Sequence, residues 1–234
     1  PEAYDRFGAA LAAGDFNGDG ADDLATGVPY DNGLAGFEQE NVGLVIVRYG
    51  VLGAGLETGL ADTVLRHNVL VEAGDFFGTA LAAGDFNGDG FDDLAVGEPG
   101  DSAINVGRVH IFYGGAAGIA LQAGHNFMDP VQFSAEDEFG TVLAAGNFNG
   151  DTFDDLAIGM PYDSPNWWEG DPSVGSVLII EGGNEGLRPS PSGPLNYFLI
   201  SQSDAQIPDT AEVGDRFGFA LAVGNFNGDT QSIG

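Results

Sequence analysis

Short apolar segments alternate with turns rich in glycine and aspartate along the chain, and this pattern predicts β-strands. Small apolar residues dominate the first set of predicted strands, at 9–16, 79–86 and 141–148. Shorter apolar runs form a second set, at 23–26, 93–96 and 155–158, and a longer third set lies at 43–49, 107–113 and 175–180. The fourth set has the weakest pattern, at 63–71, 126–133 and 197–201. No segment has a sustained helical period, so the sequence predicts an all-β fold.

The strand pattern is an internal repeat with three fixed elements. A D-x-F-G tetrad occurs at 5–8, 75–78, 137–140 and 215–218, and each copy precedes an apolar run and an acidic loop. The loops begin at Gly14, Gly84, Gly146 and Gly224, which are 70, 62 and 78 residues apart. A Gly-x-Pro element follows the three complete loops, at 27–29, 97–99 and 159–161. This spacing predicts one four-stranded antiparallel blade of a β-propeller per repeat.

The repeat divides the chain into three complete blades and part of a fourth. The predicted boundaries are 1–66, 67–132, 133–205 and, for the partial blade, 206–234. Three and a half blades suggest a fragment of a longer propeller, and the first residue, Pro1, favours that interpretation. There are two alternatives to a fragment: two chains associate to complete a ring, or the blades form an open stack.

The charge balance restricts the possible partners. The 234 residues include 36 acidic and 6 basic side chains, for a formal net charge of -30 at pH 7. Nucleic acid and anionic membrane surfaces are therefore excluded as expected partners, because almost nothing could neutralise phosphate groups. Cysteine is absent, which excludes disulfides and thiolate metal sites. No segment has the length of a transmembrane helix, and no signal peptide is recognisable.

The combination of Phe-Gly, an Asp-rich loop and Gly-x-Pro resembles the FG-GAP repeat of integrin α subunits and of many bacterial secreted proteins. The resemblance covers the three full units and the beginning of the fourth. It implies blades of a propeller, usually of seven, with calcium bound in the loop between the first and second strands.

The first two acidic loops carry oxygen ligands at alternating positions 1, 3, 5, 7 and 9, as hard Ca²⁺ ions require, with position 7 contributing its backbone carbonyl. Glycine at position 6 permits the sharp turn. The candidate ligands are Asp15, Asn17, Asp19, Ala21 and Asp23 in the first loop and Asp85, Asn87, Asp89, Phe91 and Asp93 in the second. The alternative is a set of Asx turns without metal, but three carboxylates within nine residues would repel one another unless a cation were bound.

The third and fourth loops depart from this pattern. The third offers Asn147, Asn149, Asp151, Phe153 and Asp155, and it has asparagine at position 1 and Thr152 at position 6. We expect it to bind calcium more weakly. The fourth loop has Ile233 at position 9 and is expected not to bind.

Other recurring aspartates are not predicted to be ligands. Those at position 8, which are Asp22, Asp92 and Asp154, should point away from the ion and be solvated, because neighbouring residues of an extended segment point oppositely. Those after Gly-x-Pro, which are Asp31, Asp101 and Asp163, are predicted to cap turns.

No enzymatic motif was found in the sequence. His67, His110 and His125 occupy unrelated positions of the repeat, and His110 is interpreted as a strand residue rather than a ligand. Trp167 and Trp168 lie in the long loop between the second and third strands of unit three, on the propeller face opposite the calcium loops. They are predicted either to bind a protein or glycan ligand or to anchor their own loop.

The leading functional hypothesis is a calcium-stabilised, non-catalytic binding or adhesion module. The alternative is an accessory propeller of a secreted hydrolase whose catalytic domain lies outside this chain. Multi-site structural calcium predicts an extracellular or cell-surface location. The absence of an Asn-x-Ser/Thr sequon favours a bacterial source.

Overall fold

The structure is a computed structural model, and it describes most of the chain. The described residues are 4–32, 40–56, 61–67, 72–100, 106–120, 125–127, 138–163, 174–187, 197–202, 204, 207–208, 210–212 and 214–224. Within these ranges the regular secondary structure consists of β-strands. No helix among the described residues is long and apolar enough to cross a membrane.

Twelve strands form three antiparallel sheets of four, as the repeat predicts. The first sheet contains β1 (Leu11–Gly14), β2 (Asp23–Val28), β3 (Leu44–Arg48) and β4 (Thr63–Leu65). The second contains β5 (Ala80–Gly84), β6 (Asp93–Glu98), β7 (Arg108–Phe112) and β8 (His125–Phe127). The third contains β9 (Val142–Gly146), β10 (Asp155–Met160), β11 (Ser176–Ile180) and β12 (Tyr197–Ser201). Each sheet has its strands in sequence order, so the all-β fold of four-stranded blades is confirmed.

The strand ends differ from the predicted ones in a regular way. Each first strand is shorter than predicted, and β1 begins at Leu11 rather than at residue 9. The residues before it belong to a turn in which the Ala9 N–H donates to the Arg6 carbonyl at 3.1 Å. Each second strand extends two residues further than predicted, through the first two residues of Gly-x-Pro. Strand β4 ends at Leu65, well short of the predicted residue 71.

Two apolar cores join the three sheets face to face. Val47 and Leu65 of the first sheet pack with Leu94 and Phe112 of the second, and all four side chains are buried. The opposite face of the second sheet packs against the third through a similar cluster that includes Ile111, Leu156 and Leu178. The first strands of the sheets are neighbours, β1 beside β5 and β5 beside β9. The blades therefore stack side by side around their innermost strands.

The tetrad explains how one unit docks onto the unit before it. The Phe77 N–H donates to the Val42 carbonyl at 3.0 Å, and the Phe77 ring is fully buried in the core between the first two sheets. Phe139 makes the same contact with Val106, and Phe217 of the fourth unit with Val174. The Phe-Gly pair thus belongs structurally to the interface with the preceding blade.

The Gly-x-Pro glycine is required by the same interface. A Cβ atom on Gly27 would lie 2.1 Å from the Gly78 carbonyl oxygen, and one on Gly97 would lie 2.0 Å from that of Gly140. No side chain fits in that space, because the obstacle is backbone rather than a movable side chain. The Gly-x-Pro glycine of one repeat thus contacts the tetrad glycine of the next repeat, which explains why both positions are glycine.

Candidate functional site

The three complete acidic loops connect the first and second strands of their sheets. Strand β1 lies between the tetrad and the first loop, so the two motifs lie at opposite ends of the blade. The equivalent strands β5 and β9 separate the same motifs in the other two units. One end of the stack therefore carries the loops, and the other carries the tetrads and the Gly-x-Pro turns.

The first loop is closed by its own polar side chains. Asn17 Oδ1 accepts the Asp19 N–H at 2.9 Å, and Asp19 Oδ1 accepts the Ala21 N–H at 2.9 Å. Asp15 accepts the N–H groups of Asp19 at 3.0 Å and Gly20 at 2.9 Å. Gly20 has a φ of 85°, which suits glycine at the turn. The side chains of positions 1, 3 and 5 therefore all accept backbone N–H groups of the same loop.

The second loop has the same geometry. Asn87 accepts the Asp89 N–H at 2.8 Å, and Asp89 accepts the Phe91 N–H at 3.0 Å. Asp85 Oδ2 accepts the Gly90 N–H at 2.9 Å. These bonds are the Asx turns of the metal-free alternative. Asp85 Oδ1 already accepts two N–H groups, from Gly88 and Asp89. Asp85 Oδ2 and Asp89 Oδ1 accept one each, so each keeps a lone pair that a hard cation could use.

The aspartate at position 9 has a structural role that the sequence did not reveal. Asp23 is 1% exposed, and it accepts the Phe16 N–H at 3.0 Å and the Gly50 N–H at 2.8 Å. It therefore ties the loop to the end of the third strand. Asp93 and Asp155 make the equivalent pairs of bonds, with Phe86 and Gly114 and with Phe148 and Gly182.

Burial raises the pKa of each position 9 carboxyl group. Burial, together with the charges of Asp15 and Asp19, raises the pKa of Asp23 to about 6. Burial and the neighbouring Asp89 and Asp85 raise the pKa of Asp93 to about 8. Burial also raises the pKa of Asp155. A cation in the loop would remove the repulsion that contributes to these shifts.

The third loop is built differently at the two substituted positions. Asn147 Oδ1 accepts the Gly150 N–H at 2.7 Å, while its amide Nδ2 donates to the Asp151 carbonyl at 2.6 Å. In the other loops, the second oxygen of position 1 instead accepts the N–H of position 6. Thr152 does not have a positive φ, whereas Gly20 and Gly90 at the same position do. The third loop therefore lacks one carboxylate oxygen and the left-handed turn.

The expectation that the position 8 aspartates are solvated was wrong for two of the three. Asp92 is half-buried, and its Oδ2 accepts the Asp15 N–H of the preceding blade at 2.8 Å. Asp154 bonds the Asp85 N–H in the same way at 3.1 Å. These side chains do point away from their own loop, but the space there holds the neighbouring blade rather than water. Asp22 is exposed, as expected.

The aspartates that follow Gly-x-Pro close their turns. The Asp31 N–H donates to the Val28 carbonyl at 3.2 Å, and the Asp31 side chain pairs with Arg66 at 3.0 Å. The Asp163 N–H donates to Met160, and the Asp163 carboxylate accepts the Ser176 hydroxyl. Asp101, the fourth acidic loop with Ile233, Trp167 and Trp168 lie outside the described residues, as does the side chain of His125.

At the end opposite the loops, a cavity of about 430 Å³ spans all three units. Its lining includes the second residue of each tetrad, which is Arg6, Phe76 or Glu138. All three have a φ near +50°, which non-glycine residues rarely adopt. The Arg6 guanidinium lies 4.1 Å from the centre of the Tyr30 ring, and Tyr30 packs 5.1 Å from Phe76. The variable tetrad position thus presents chemically different side chains to one shared cavity.

The fold and the loops define this chain as a set of propeller blades built from a repeated acidic hairpin. The model of the FG-GAP repeat matches residues 7–47, 77–112 and 139–180, together just over half of the chain. The chain therefore belongs to the FG-GAP repeat family.

Curated relatives include integrin α subunits of animals. The chain is 31% identical to integrin alpha-PS2 of Drosophila melanogaster over 96% of its length, which is 14% of the relative. It is 29% identical to integrin alpha pat-2 of Caenorhabditis briggsae, with 94% of the chain and 17% of the relative covered. It is 30% identical to integrin alpha-8 of Gallus gallus, with 87% of the chain and 18% of the relative covered. The chain spans less than a fifth of each, and these animal relatives do not support the expected bacterial source.

Proposed function

We propose that the chain is a calcium-stabilised, non-catalytic adhesion module that works at the cell surface or outside the cell. The observation that carries this proposal is the division of the blade stack into two ends. One end carries three hairpin loops whose candidate ligand atoms are all oxygens. The other end has a cavity lined by side chains from three blades. Similarity to integrin α subunits supports the adhesion role.

Calcium is the metal that suits the loops. Their donors are carboxylate, amide and carbonyl oxygens, which suit hard Ca²⁺ ions rather than metals that prefer nitrogen or sulfur. The ligands proposed are those at positions 1, 3, 5, 7 and 9, with Ala21, Phe91 and Phe153 contributing backbone carbonyls. The bound ion would neutralise carboxylates that otherwise repel one another across the loop. We propose two strong sites and a weaker third.

The ligand is proposed to bind the cavity end. Arginine and aromatic side chains dominate the energetics of many protein contacts, and the exposed Arg6 lies there with the half-buried Tyr30 and Phe76. Trp167 and Trp168, in the long loop after the third-unit Gly-x-Pro, are proposed to extend this surface. A protein or a glycan could occupy it, since both bind aromatic side chains.

Self-association to complete a larger propeller is a further part of the proposal. On the side of the first sheet away from the second, Phe7 is 60% exposed and Leu11 is 61% exposed. Their equivalents in the second unit, Phe77 and Leu81, are buried against the first unit. The first unit therefore presents the surface that another blade covers elsewhere in the stack.

Biolayer interferometry can test the adhesion role. The calcium-loaded chain is passed over immobilised fibronectin, laminin and collagen, and is applied in parallel to a glycan array. We expect saturable binding to at least one probe, loss of binding in chelator, and at least a tenfold weaker affinity for Tyr30→Ala. Tyr4→Ala is the matched control, because Tyr4 is 91% exposed in the same unit and does not line the cavity. Absence of binding to every probe, or equal affinities for the two variants, would contradict the proposal.

A further inference from the structure

A buried cluster of two histidines and a glutamate lies between the first and second blades. Glu98 is the last residue of β6, His110 lies on the adjacent strand β7, and His67 follows β4 of the neighbouring sheet. The side chains of Glu98, His110 and His67 are 0%, 2% and 7% exposed. The cluster therefore joins two blades at a place that solvent hardly reaches.

The three side chains direct their donor atoms at one another. His110 Nε2 lies 2.6 Å from Glu98 Oε2, and His67 Nδ1 lies 3.0 Å from Glu98 Oε1. One donor atom from each residue lies within 4.8 Å of the other two. Within the described part of the chain, Glu98 Oε1 contacts His67 Nδ1 but has no well-formed hydrogen bond. A metal ion held by these three residues would replace the direct hydrogen bond between His110 Nε2 and Glu98 Oε2.

The cluster is not required for packing the fold. Register places Glu98 opposite Arg108 and His110 opposite Val96. The equivalent residues of the third sheet are Met160 and Leu178, which are fully buried in the next interface. In the first sheet they are Val28 and Ile46. Apolar residues thus fill these positions in the other blades, so polar residues here imply a specific role.

Burial and mutual contacts shift the pKa values of Glu98 and His110. Burial opposes ionisation of Glu98, but contacts with His110 and His67 outweigh it and lower the pKa of that carboxyl. Burial lowers the pKa of His110, and this effect outweighs the hydrogen bond with Glu98, which would raise it. Arg108 is the nearby cation, and Phe77 and Phe112 flank the His110 ring at 5.4 Å and 6.4 Å.

We propose that His67, Glu98 and His110 bind a divalent transition-metal ion of the zinc class and so clamp the first blade to the second. Two imidazole nitrogens and a carboxylate form a common ligand set for Zn²⁺, whereas Ca²⁺ prefers oxygen ligands. The site is chemically distinct from the acidic loops and lies within the blade interface. In a chain without cysteine, such an ion provides a cross-link between sequence-distant blades.

The test is zinc binding by the calcium-saturated chain, in which the acidic loops are occupied by calcium. Isothermal titration with Zn²⁺ is compared between the wild type and Glu98→Met/His110→Leu. This double variant introduces the residue pair that the third blade carries at equivalent positions. We expect one equivalent of Zn²⁺ to bind the wild type and at least about 100-fold weaker binding by the variant, since even the loss of a residue that supports a ligand costs 10–100-fold. Absence of stoichiometric binding, or equal binding by the variant, would overturn the proposal.

X-ray absorption spectroscopy of the zinc-loaded wild type gives a result that does not depend on folding of the variant. The expected spectrum shows two imidazole ligands together with oxygen. A spectrum with oxygen ligands alone, or with a single imidazole, would place the ion elsewhere and refute the site.

Discussion

Replacing Asp92 by alanine tests whether the acidic loop of one blade is secured by the next. In the structure, Asp92 Oδ2 accepts the Asp15 N–H at 2.8 Å, and the Asp92 N–H donates to the Asp15 carbonyl at 3.1 Å. The side chain also lies against Gly14, where an added Cβ would be 2.7 Å from Asp92 Oδ2. The alanine variant keeps the backbone bond and removes the side-chain bond.

Two opposing effects determine the size of the change. A hydrogen bond to a charged group contributes about 1.5–3 kcal/mol, and its loss leaves a partly buried N–H without that acceptor. Against this, burial and the repulsion of Asp85, Asp15 and Asp22 raise the pKa of Asp92. Removing the Asp92 carboxylate therefore also relieves an unfavourable electrostatic interaction. We expect a net loss of about 1–2 kcal/mol in the free energy of unfolding for Asp92→Ala. Asp92→Asn, whose amide oxygen can still accept the bond, should lie within about 0.5 kcal/mol of the wild type.

Urea denaturation in calcium-containing buffer measures these differences, provided that the m-values of the variants agree. Asp22→Ala is the matched control, because Asp22 is the equivalent residue of the first unit and is exposed. It should change the stability by less than about 0.5 kcal/mol. If Asp92→Ala and Asp92→Asn are both more stable than the wild type, repulsion outweighs the hydrogen bond and the reasoning is wrong.

Three further changes test the interfaces and the third loop. Phe77→Ala should cost about 3–5 kcal/mol in the free energy of unfolding because it empties a buried site between blades. Phe7→Ala, at the equivalent position that is exposed in the single chain, should cost less than about 0.5 kcal/mol at concentrations where the chain is monomeric. Similar losses for both in thermal or urea unfolding would refute the docking role of the tetrad. Gly97→Ala should cost about 3 kcal/mol, because its Cβ would lie 2.0 Å from a carbonyl oxygen of the third unit, while Gly115→Ala, with open space around it, should be neutral in the same assay. Asn147→Asp should increase the calcium affinity of the third loop in a titration, since it restores a charged ligand; an unchanged affinity would mean that charge does not limit this loop.

Features that depend on neighbouring residues in the chain could be predicted well. The strands were located because their apolar runs and turn residues recur in the same order, and all twelve overlap the predicted segments. The acidic loops likewise recur with fixed spacing. The ends of the strands were less predictable, because hydrogen bonds of the tetrad turn shorten each first strand.

Features that depend on contacts between blades were missed. The role of Asp92 depends on the Asp15 N–H, 77 residues away in the chain, which no local pattern reveals. The cluster of His67, Glu98 and His110 escaped detection for the same reason. A signal was nonetheless present, because Glu98 occupies the middle of a Gly-x-Pro element whose other copies contain Val28 and Met160. A charged residue at an otherwise apolar repeat position indicates a specific local function.

Calcium stabilisation of the blades can be measured by a calcium titration of the chelator-treated chain, with urea unfolding recorded at the start and at saturation. Calcium that binds only the folded loops should raise the free energy of unfolding by about 2.7 kcal/mol per site at a free concentration 100 times the dissociation constant. We expect two tight equivalents, a weaker third and an increase in stability with each. No calcium binding, or binding with no gain in stability, would contradict the proposal of a calcium-stabilised module.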